Sequence, residues 1–237
     1  PDYAGEGFSF DAERPRLMKR VNSFRISKTL VSRGEYLAFI QDGGYERSEL
    51  WSFGGKKWLA VQRAKDVEMT RPNEAQTGPI YWRQHNGEWQ ERVFDQWQPI
   101  NLAAAVIHVT YWEAEAWCNW AGRRLPTEYE WEVAALDNRA GQAFTSFPWG
   151  KQMNAALVDM DRQGMAQHSV AEFEQGQSPF GLLQCIGTAW EWTSTQFLPY
   201  PGFTVDMYPY MSTLQFGYHK VTRGGSCATS SSLIRGT

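Results

Sequence analysis

The sequence predicts an α+β fold, built from short helices and short strands that are joined by long irregular loops. Two observations support this prediction. Three apolar runs with helical spacing are each preceded by a serine or threonine that is followed three positions later by a glutamate, a pattern that begins helices. Several short apolar runs are bounded by turn residues, as strands commonly are. An aromatic content of 15% in 237 residues lets such small elements pack around large rings.

Three helices are predicted from their starts. Apolar residues follow each start at the spacing that lines one helical face, so each is expected to open a helix of about three turns. The starts pair Ser32 with Glu35, Thr110 with Glu113, and Thr127 with Glu130. The residues expected to face inwards are Tyr36, Phe39, Ile40, Ala114, Trp117, Cys118, Ala121, Trp131, Ala134 and Ala135.

Six short runs have the composition of strands, and two of them are spaced as a hairpin around Gln84–Gly87. The pairs Gly43-Gly44 and Gly54-Gly55 are predicted to be turns. Residues 138–184 lack periodicity and are predicted to be irregular. The six strand candidates are Val21–Ile26, Tyr81–Arg83, Gly87–Val93, Val106–Val109, Trp190–Thr193 and Lys220–Arg223.

Composition argues against two classes of partner. A net charge of -3 and a pI near 5.9 give no basic footprint for nucleic acid. No apolar run approaches the ~18 residues that a membrane helix needs. The 3 cysteines are too few and too scattered for a disulfide framework, which favours a reducing cytoplasm. Neither nucleic acid nor a membrane is therefore expected as a partner.

The run Ile186–Phe203 is the most informative part of the chain. Trp190 and Trp192 lie two positions apart, so they would share one side of a strand, with Glu191 on the other. The prolines and glycine of Pro199–Phe203 must end regular structure there. The run is therefore predicted to be a short core strand that leads into an aromatic loop. Its pattern leaves open whether that loop lines a ligand site or only packs.

Four motifs occur in the order that is found in the formylglycine-generating-enzyme (FGE-sulfatase) domain, which has a C-type-lectin-like fold. They are Val31–Phe39, Gly122–Trp131, Gly187–Thr193 and Arg223–Ser226. The resemblance covers nearly the whole chain. It implies a single FGE-sulfatase-like domain over residues 1–237, truncated at both ends. This fold supports several functions, so the resemblance to the fold does not decide the activity.

Finer features resemble one branch, the EgtB-type ergothioneine sulfoxide synthases and the closely similar selenoneine synthases. They are Asp42–Tyr45, Glu49–Trp51 and Pro199–Phe203. The resemblance implies a non-haem Fe(II)- and O₂-dependent oxidoreductase that joins a thiol or selenium donor to the imidazole of hercynine (trimethylhistidine). It also implies that the iron ligands belong to a helical (DinB-like) domain upstream of this chain. None of the 4 histidines here stands in an HxD or HxxxH pattern.

Tyr208 is the candidate catalytic residue. It lies five residues after Phe203, where the resembled branch has its catalytic tyrosine. A phenol there can supply a proton or a hydrogen atom during oxygen activation and so favour bond formation to sulfur. The second active-site tyrosine of the branch would fall at Met211, which is a departure from its pattern. The candidate substrate contacts are Tyr200, Phe203, Tyr210 and Met211.

A calcium site is a second implication of the resemblance, because FGE-like domains can bind Ca²⁺. Its ligands would be Glu191 and backbone carbonyls near Gly187 and Ala189, and hard oxygen ligands suit this ion. The alternative for Glu191 is a carboxylate that is satisfied within a tryptophan-rich core.

Two other functions stay open. A non-catalytic C-type-lectin-like module would bind a ligand through irregular loops, and the aromatic loop Tyr200–Tyr210 suits that purpose. Formylglycine generation is disfavoured because it needs a pair of copper-binding cysteines just after Arg223–Ser226. Only Cys227 occurs there.

Overall fold

The computed structural model describes residues 9–68, 78–137 and 145–235. Its residues group into two compact units. The first comprises Val31–Leu125 and Gln167–Val170, and the second comprises the rest of the chain. Both contain short helices and small antiparallel sheets, so the predicted α+β class is confirmed.

The described residues of the Val31–Leu125 unit form three α-helices and a three-stranded antiparallel sheet. Its strands pair in the order β1-β2-β3, and the turn Asn86-Gly87 joins the first two, close to where the sequence predicts a hairpin. The elements are α1 (Arg33–Gln41), α2 (Phe53–Glu68), β1 (Trp82–His85), β2 (Glu88–Val93), β3 (Gln96–Pro99) and α3 (Tyr111–Trp120).

In the segments that the structure describes, the other unit is built around one α-helix and one pair of strands, with long irregular segments between them. These are α4 (Glu128–Leu136), β4 (Glu191–Gln196) and β5 (Lys220–Arg223). The two strands run antiparallel, with Glu191 opposite Arg223. Both strands were predicted, as was the irregular character of the described part of residues 138–184.

All three predicted helix starts are confirmed, each with a reciprocal capping box. In α1 the Ser32 hydroxyl accepts from the Glu35 backbone N–H at 3.2 Å, while the Ser32 N–H donates to the Glu35 carboxylate at 2.9 Å. Thr110 and Thr127 do the same with Glu113 and Glu130 at the starts of α3 and α4. These pairs satisfy N–H groups that a helix start leaves free.

Each unit has its own apolar core. In the Val31–Leu125 unit, Tyr36 and Phe39 of α1 pack with Trp117 and Cys118 of α3. Tyr45 lies in the same cluster and donates a hydrogen bond of 2.5 Å to the buried Glu113 carboxylate. In the other unit Trp131 of α4 packs against a cluster that includes Met160, Leu182, Cys185, Ile186 and Ile234.

One ion pair is buried in the Val31–Leu125 unit. The Arg33 guanidinium lies 2.7 Å from the Glu91 carboxylate and also donates to the Ala105 carbonyl and the Gln167 side chain. It thereby links α1 to β2 and to the segment 167–170. Removing one partner of such a pair leaves an uncompensated buried charge.

Three local predictions are wrong. Residues 21–26 form no strand: they have no ladder partner, and Phe24 and Ile26 pack on the core. Residues 106–109 form none either, because His108 adopts a left-handed conformation (φ 61°) that turns the chain away. Gly54-Gly55 is no turn but lies in the first turn of α2, which the sequence analysis missed.

Candidate active site

The loop between β4 and β5, residues 197–219, carries most of the predicted site residues. It begins with the bend in Pro199–Phe203, where the Phe203 N–H donates to the Tyr200 carbonyl at 2.9 Å. Gly202 has φ 85°, a conformation that side chains disfavour. The bend therefore reverses the chain just after the core strand, as the sequence predicts.

Two of the predicted substrate contacts hold the loop in place. The Phe203 ring lies edge-on to Phe216 at 5.2 Å between centroids, and Phe216 also contacts Phe197 at 4.9 Å. The Tyr200 hydroxyl donates to the Glu128 carboxylate at 2.9 Å. In this structure both side chains contact protein, and they secure the start of the loop.

A buried charge cluster explains the position of Tyr200. Arg223 of β5 donates to the carboxylates of Glu128 and Glu132, on α4, at 3.0 Å and 3.2 Å. Burial and the charge of Glu128 raise the pKa of Tyr200 well above its ordinary value. Tyr200 therefore stays a hydrogen-bond donor, and the cluster ties the loop to the end of β5 and the first turns of α4.

Tyr208 and Tyr210 lie in the outer part of the loop. Their side chains are 67% and 73% exposed. Tyr208 directly precedes a single 3₁₀ turn, Pro209–Met211, and the side chain of Met211 lies outside what the structure describes. Both phenol groups are therefore accessible to solvent.

Further large apolar side chains are exposed along the same loop. An exposed apolar surface of this kind commonly marks an interaction or ligand site. We call it the loop surface, and its members are Leu198, Val205, Met207, Tyr208, Tyr210, Leu214 and Tyr218.

The buried carboxylate of Asp11, which the sequence analysis missed, binds the loop before Tyr208 and after Tyr210. Asp11 Oδ2 accepts from the Asp206 backbone N–H at 3.2 Å and from the Ser212 hydroxyl at 2.7 Å. Arg14 adds an ion pair of 3.2 Å with the Asp206 side chain. Asp11 and Ser212 lie 201 positions apart, so no local pattern could have linked them.

Glu191 lies at the start of β4, with its carboxylate against α4. The Trp131 indole N–H donates to it at 2.9 Å. Burial raises the pKa of Glu191 to about 7, although the Trp131 hydrogen bond acts in the opposite direction. The neighbouring Trp190 is half exposed, so the strand does not bury both tryptophans.

The backbone around the predicted calcium ligands is tightly packed. Gly187 has φ 74°, and a Cβ there would lie 2.4 Å from the Asp159 carbonyl oxygen. Its N–H donates to the Gly224 carbonyl at 2.8 Å. Ala189 is partly buried. The calcium site at Gly187, Ala189 and Glu191 stays a prediction.

The described residues do not supply an iron site. Histidines are present at positions 85, 108, 168 and 219, and all four lie in described segments. Within those segments, no three or more His, Cys, Asp or Glu side chains are grouped so that they could hold a metal. A common non-haem iron site uses two histidines and one carboxylate, which are three such ligands on one face. This part of the chain therefore does not fit an iron centre by itself.

The cysteines form no disulfide, as predicted, and all three are buried. Burial raises the pKa of the Cys227 and Cys118 thiols, the latter to about 11. Both groups are therefore protonated near neutral pH. In the described segments, no helix is both long and apolar enough to cross a membrane.

Comparison with known proteins agrees with the motif order. The sulfatase-modifying factor enzyme 1-like domain (FGE-sulfatase) matches residues 3–237. The hercynine oxygenase of Mycolicibacterium smegmatis is 37% identical over 240 residues, 99% of this chain and 53% of that protein. That of Mycobacterium tuberculosis is 37% identical over 236 residues, 99% of this chain and 52% of that protein.

A more distant relative has another activity in its name. The formylglycine-generating enzyme of Streptomyces coelicolor is 29% identical over 217 residues, 84% of this chain and 66% of that protein. The chain spans about half the length of the hercynine oxygenases that it matches. From the match over almost its full length, the chain belongs to the FGE-sulfatase family of sulfatase-modifying factor enzyme 1-like domains.

Proposed function

We propose that the protein to which this chain belongs forms a C–S or C–Se bond on the imidazole of hercynine, in ergothioneine or selenoneine biosynthesis, using Fe(II) and O₂. The observation that carries this proposal is the identity of 35–37% across 99% of the chain with proteins named hercynine oxygenase. The more distant formylglycine-generating enzymes need a cysteine pair for copper, and only Cys227 follows Arg223–Ser226.

The reaction with a thiol balances without a further reductant. An imidazole C–H and the donor S–H are lost, and a C–S bond is formed. Of the two oxygen atoms of O₂, one becomes the sulfoxide oxygen and the other leaves as water. The donor is a thiol such as cysteine or γ-glutamylcysteine, or a selenium compound.

The iron would be held outside this chain. The described residues offer no cluster of metal ligands, and the chain spans about half of its hercynine oxygenase relatives. A DinB-like helical domain of the same polypeptide is therefore proposed as the iron-binding partner. Iron held there would supply the oxygen-activating chemistry, and the loop surface offers that domain an apolar face.

Tyr208 is proposed as the catalytic residue of this chain. Its phenol is exposed and belongs to the loop surface, so a reactant held by the partner domain can reach it. A phenol O–H can give up a proton or a hydrogen atom while the C–S bond forms. Tyr210 and Met211 are proposed to contact substrate beside it, whereas Tyr200 and Phe203 hold the loop.

The test compares Tyr208→Phe with the parent in the full-length protein, supplied with Fe(II), O₂, hercynine and γ-glutamylcysteine. The ratio of coupled product to oxidised thiol is expected to fall by about tenfold or more, because the proton donor is lost while the ring stays. Tyr218→Phe is the matched control, since Tyr218 is exposed on the same loop at 87%. An unchanged ratio in Tyr208→Phe contradicts the assigned role.

A non-catalytic ligand-binding module is the second candidate, and the exposed aromatic side chains of the loop surface favour it. Hercynine that binds the full-length protein without any oxygen consumption would support this alternative. Coupled product in the same preparation would rule it out.

A calcium ion at Glu191, Gly187 and Ala189 is a further proposal. The three free buried thiols support a reducing, cytoplasmic setting.

A further inference from the structure

One carboxylate oxygen accepts hydrogen bonds from both ends of the segment that carries Tyr208 and Tyr210. Asp11 Oδ2 accepts from the Asp206 N–H at 3.2 Å and from the Ser212 hydroxyl at 2.7 Å. The two donors flank Tyr208 in sequence. The backbone on either side of the tyrosine therefore meets at a single point.

Burial and charge make this point a firm attachment. Asp11 is 5% exposed and Ser212 is fully buried. Asp11 Oδ1 accepts from the Ala12 N–H at 2.7 Å, which orients the carboxylate. Hydrogen bonds to an ionised acceptor are about twice as strong as neutral ones. The Asp206–Arg14 pair is more exposed and adds less.

The Asp11 segment also supports the start of the loop. A Cβ at Gly202 would lie 3.4 Å from Pro15 Cγ, so the bend that opens the loop packs closely on this segment. At its other side, Glu13 pairs with Arg235. Asp11 and Pro15 are therefore the residues of this segment that contact the loop, while the phenol of Tyr208 is exposed.

We propose that Asp11 is a positioning residue for Tyr208, acting through Asp206 and Ser212. This inference rests on the proposed function, in which Tyr208 supplies a proton or hydrogen atom. Because the ring itself is exposed, its location depends on the backbone that carries it. An attachment on both sides of the tyrosine holds its Cα where the phenol can meet the reactant, and small misplacements of a reacting group cost rate steeply.

The experiment uses the full-length protein with Fe(II), O₂, hercynine and γ-glutamylcysteine. Ser212→Ala removes one donor and little else, and Ser212→Thr restores a hydroxyl at the same place. Asp11→Asn keeps the acceptor oxygen but removes the charge. Glu13→Gln is the matched control, because Glu13 lies two residues from Asp11 but pairs with Arg235, not with the loop.

Three readouts are measured. Ser212→Ala is expected to lower the ratio of coupled product to oxidised thiol by about tenfold, with kcat affected more than KM for hercynine. Ser212→Thr and Glu13→Gln are expected to stay near the parent. In the Tyr208→Phe background, Ser212→Ala should add little, because two changes that act through one phenol are not additive. Hydrogen exchange at residues 206–212 should rise in Asp11→Asn.

The outcomes separate this inference from the proposed function. If Tyr208→Phe leaves the product ratio unchanged, the proposed role of the tyrosine fails and the positioning role falls with it. If Tyr208→Phe lowers the ratio but Ser212→Ala does not, only the inference about Asp11 is overturned. Equal losses in Ser212→Ala and Glu13→Gln, or full additivity with Tyr208→Phe, also overturn it. If Asp11→Asn does not fold, the serine variants decide alone.

Discussion

Glu191 illustrates how one residue's surroundings set its chemistry. Its side chain is partly buried, and its carboxylate accepts a hydrogen bond of 2.9 Å from the Trp131 indole N–H. Burial raises its pKa to about 7 because the charged form loses its hydration. Near neutral pH the group is therefore divided between its protonated and ionised forms. A bound calcium ion would require the ionised form. Protonation of Glu191 and calcium binding would therefore compete with each other.

We predict that Glu191 makes stability fall as pH rises, when calcium is chelated. The unfolded chain loses this proton near the ordinary value of 4.5, and the folded chain loses it near 7. Between these values the folded state binds more protons, so the free energy of unfolding decreases with rising pH. The loss is roughly 2–3 kcal/mol. Denaturant unfolding between about pH 5 and pH 8, followed by fluorescence, measures it.

Glu191→Gln is the control for that prediction. The amide oxygen still accepts from Trp131 but the group no longer titrates, so this part of the pH dependence should disappear. A slope that persists in Glu191→Gln would show that other groups cause it. Calcium that stabilises the parent but not this variant would instead support the proposed calcium site.

At the scale of elements, predictions that depend on a few neighbouring residues succeed. The capping boxes at Ser32, Thr110 and Thr127 join groups three residues apart, so the sequence contains all of their parts. Strands depend on partners elsewhere in the chain. Residues 21–26 have a strand-like composition but find no ladder partner, so they form no strand.

The helix α2 escaped prediction because two glycines stand in its first turn. Tertiary contact explains the first of them. A Cβ at Gly54 would lie 2.3 Å from the Trp112 ring of α3. Glycine therefore lets the two helices approach closely, at the expense of helix propensity. A sequence pattern cannot distinguish this use of glycine from a turn.

We predict that Gly54→Ala destabilises the protein, although alanine favours a helix by about 1 kcal/mol. The added methyl group overlaps the Trp112 ring, and overpacking of this kind costs about 1–3 kcal/mol. The net loss should be about 1 kcal/mol in the free energy of unfolding, by chemical denaturation. In a Trp112→Phe background the smaller ring leaves room, so the same change should be neutral or stabilising. A gain in the Trp112 parent would contradict the proposed contact.

At the scale of the whole molecule, the site depends on residues far apart in the sequence. The resemblance places Tyr208 by its distance from Phe203, and the structure finds it exposed on the predicted loop. No local sequence pattern identifies Asp11 as a support of this loop, because its partner Ser212 lies 201 positions away. An active-site loop is therefore recognisable from its local motif, whereas its support is visible only after folding.

The last prediction concerns iron in the full-length protein. If the iron ligands lie outside this chain, replacing any of its 4 histidines should leave the iron content unchanged. His85, His168 and His219 are each replaced by alanine. His108 is replaced by asparagine, which tolerates its left-handed backbone (φ 61°). Iron per protein after anaerobic reconstitution with Fe(II) is measured in each variant, beside circular dichroism to confirm folding. A folded variant that loses its iron would place a ligand in this chain. That result would overturn the proposal that the iron ligands lie outside it.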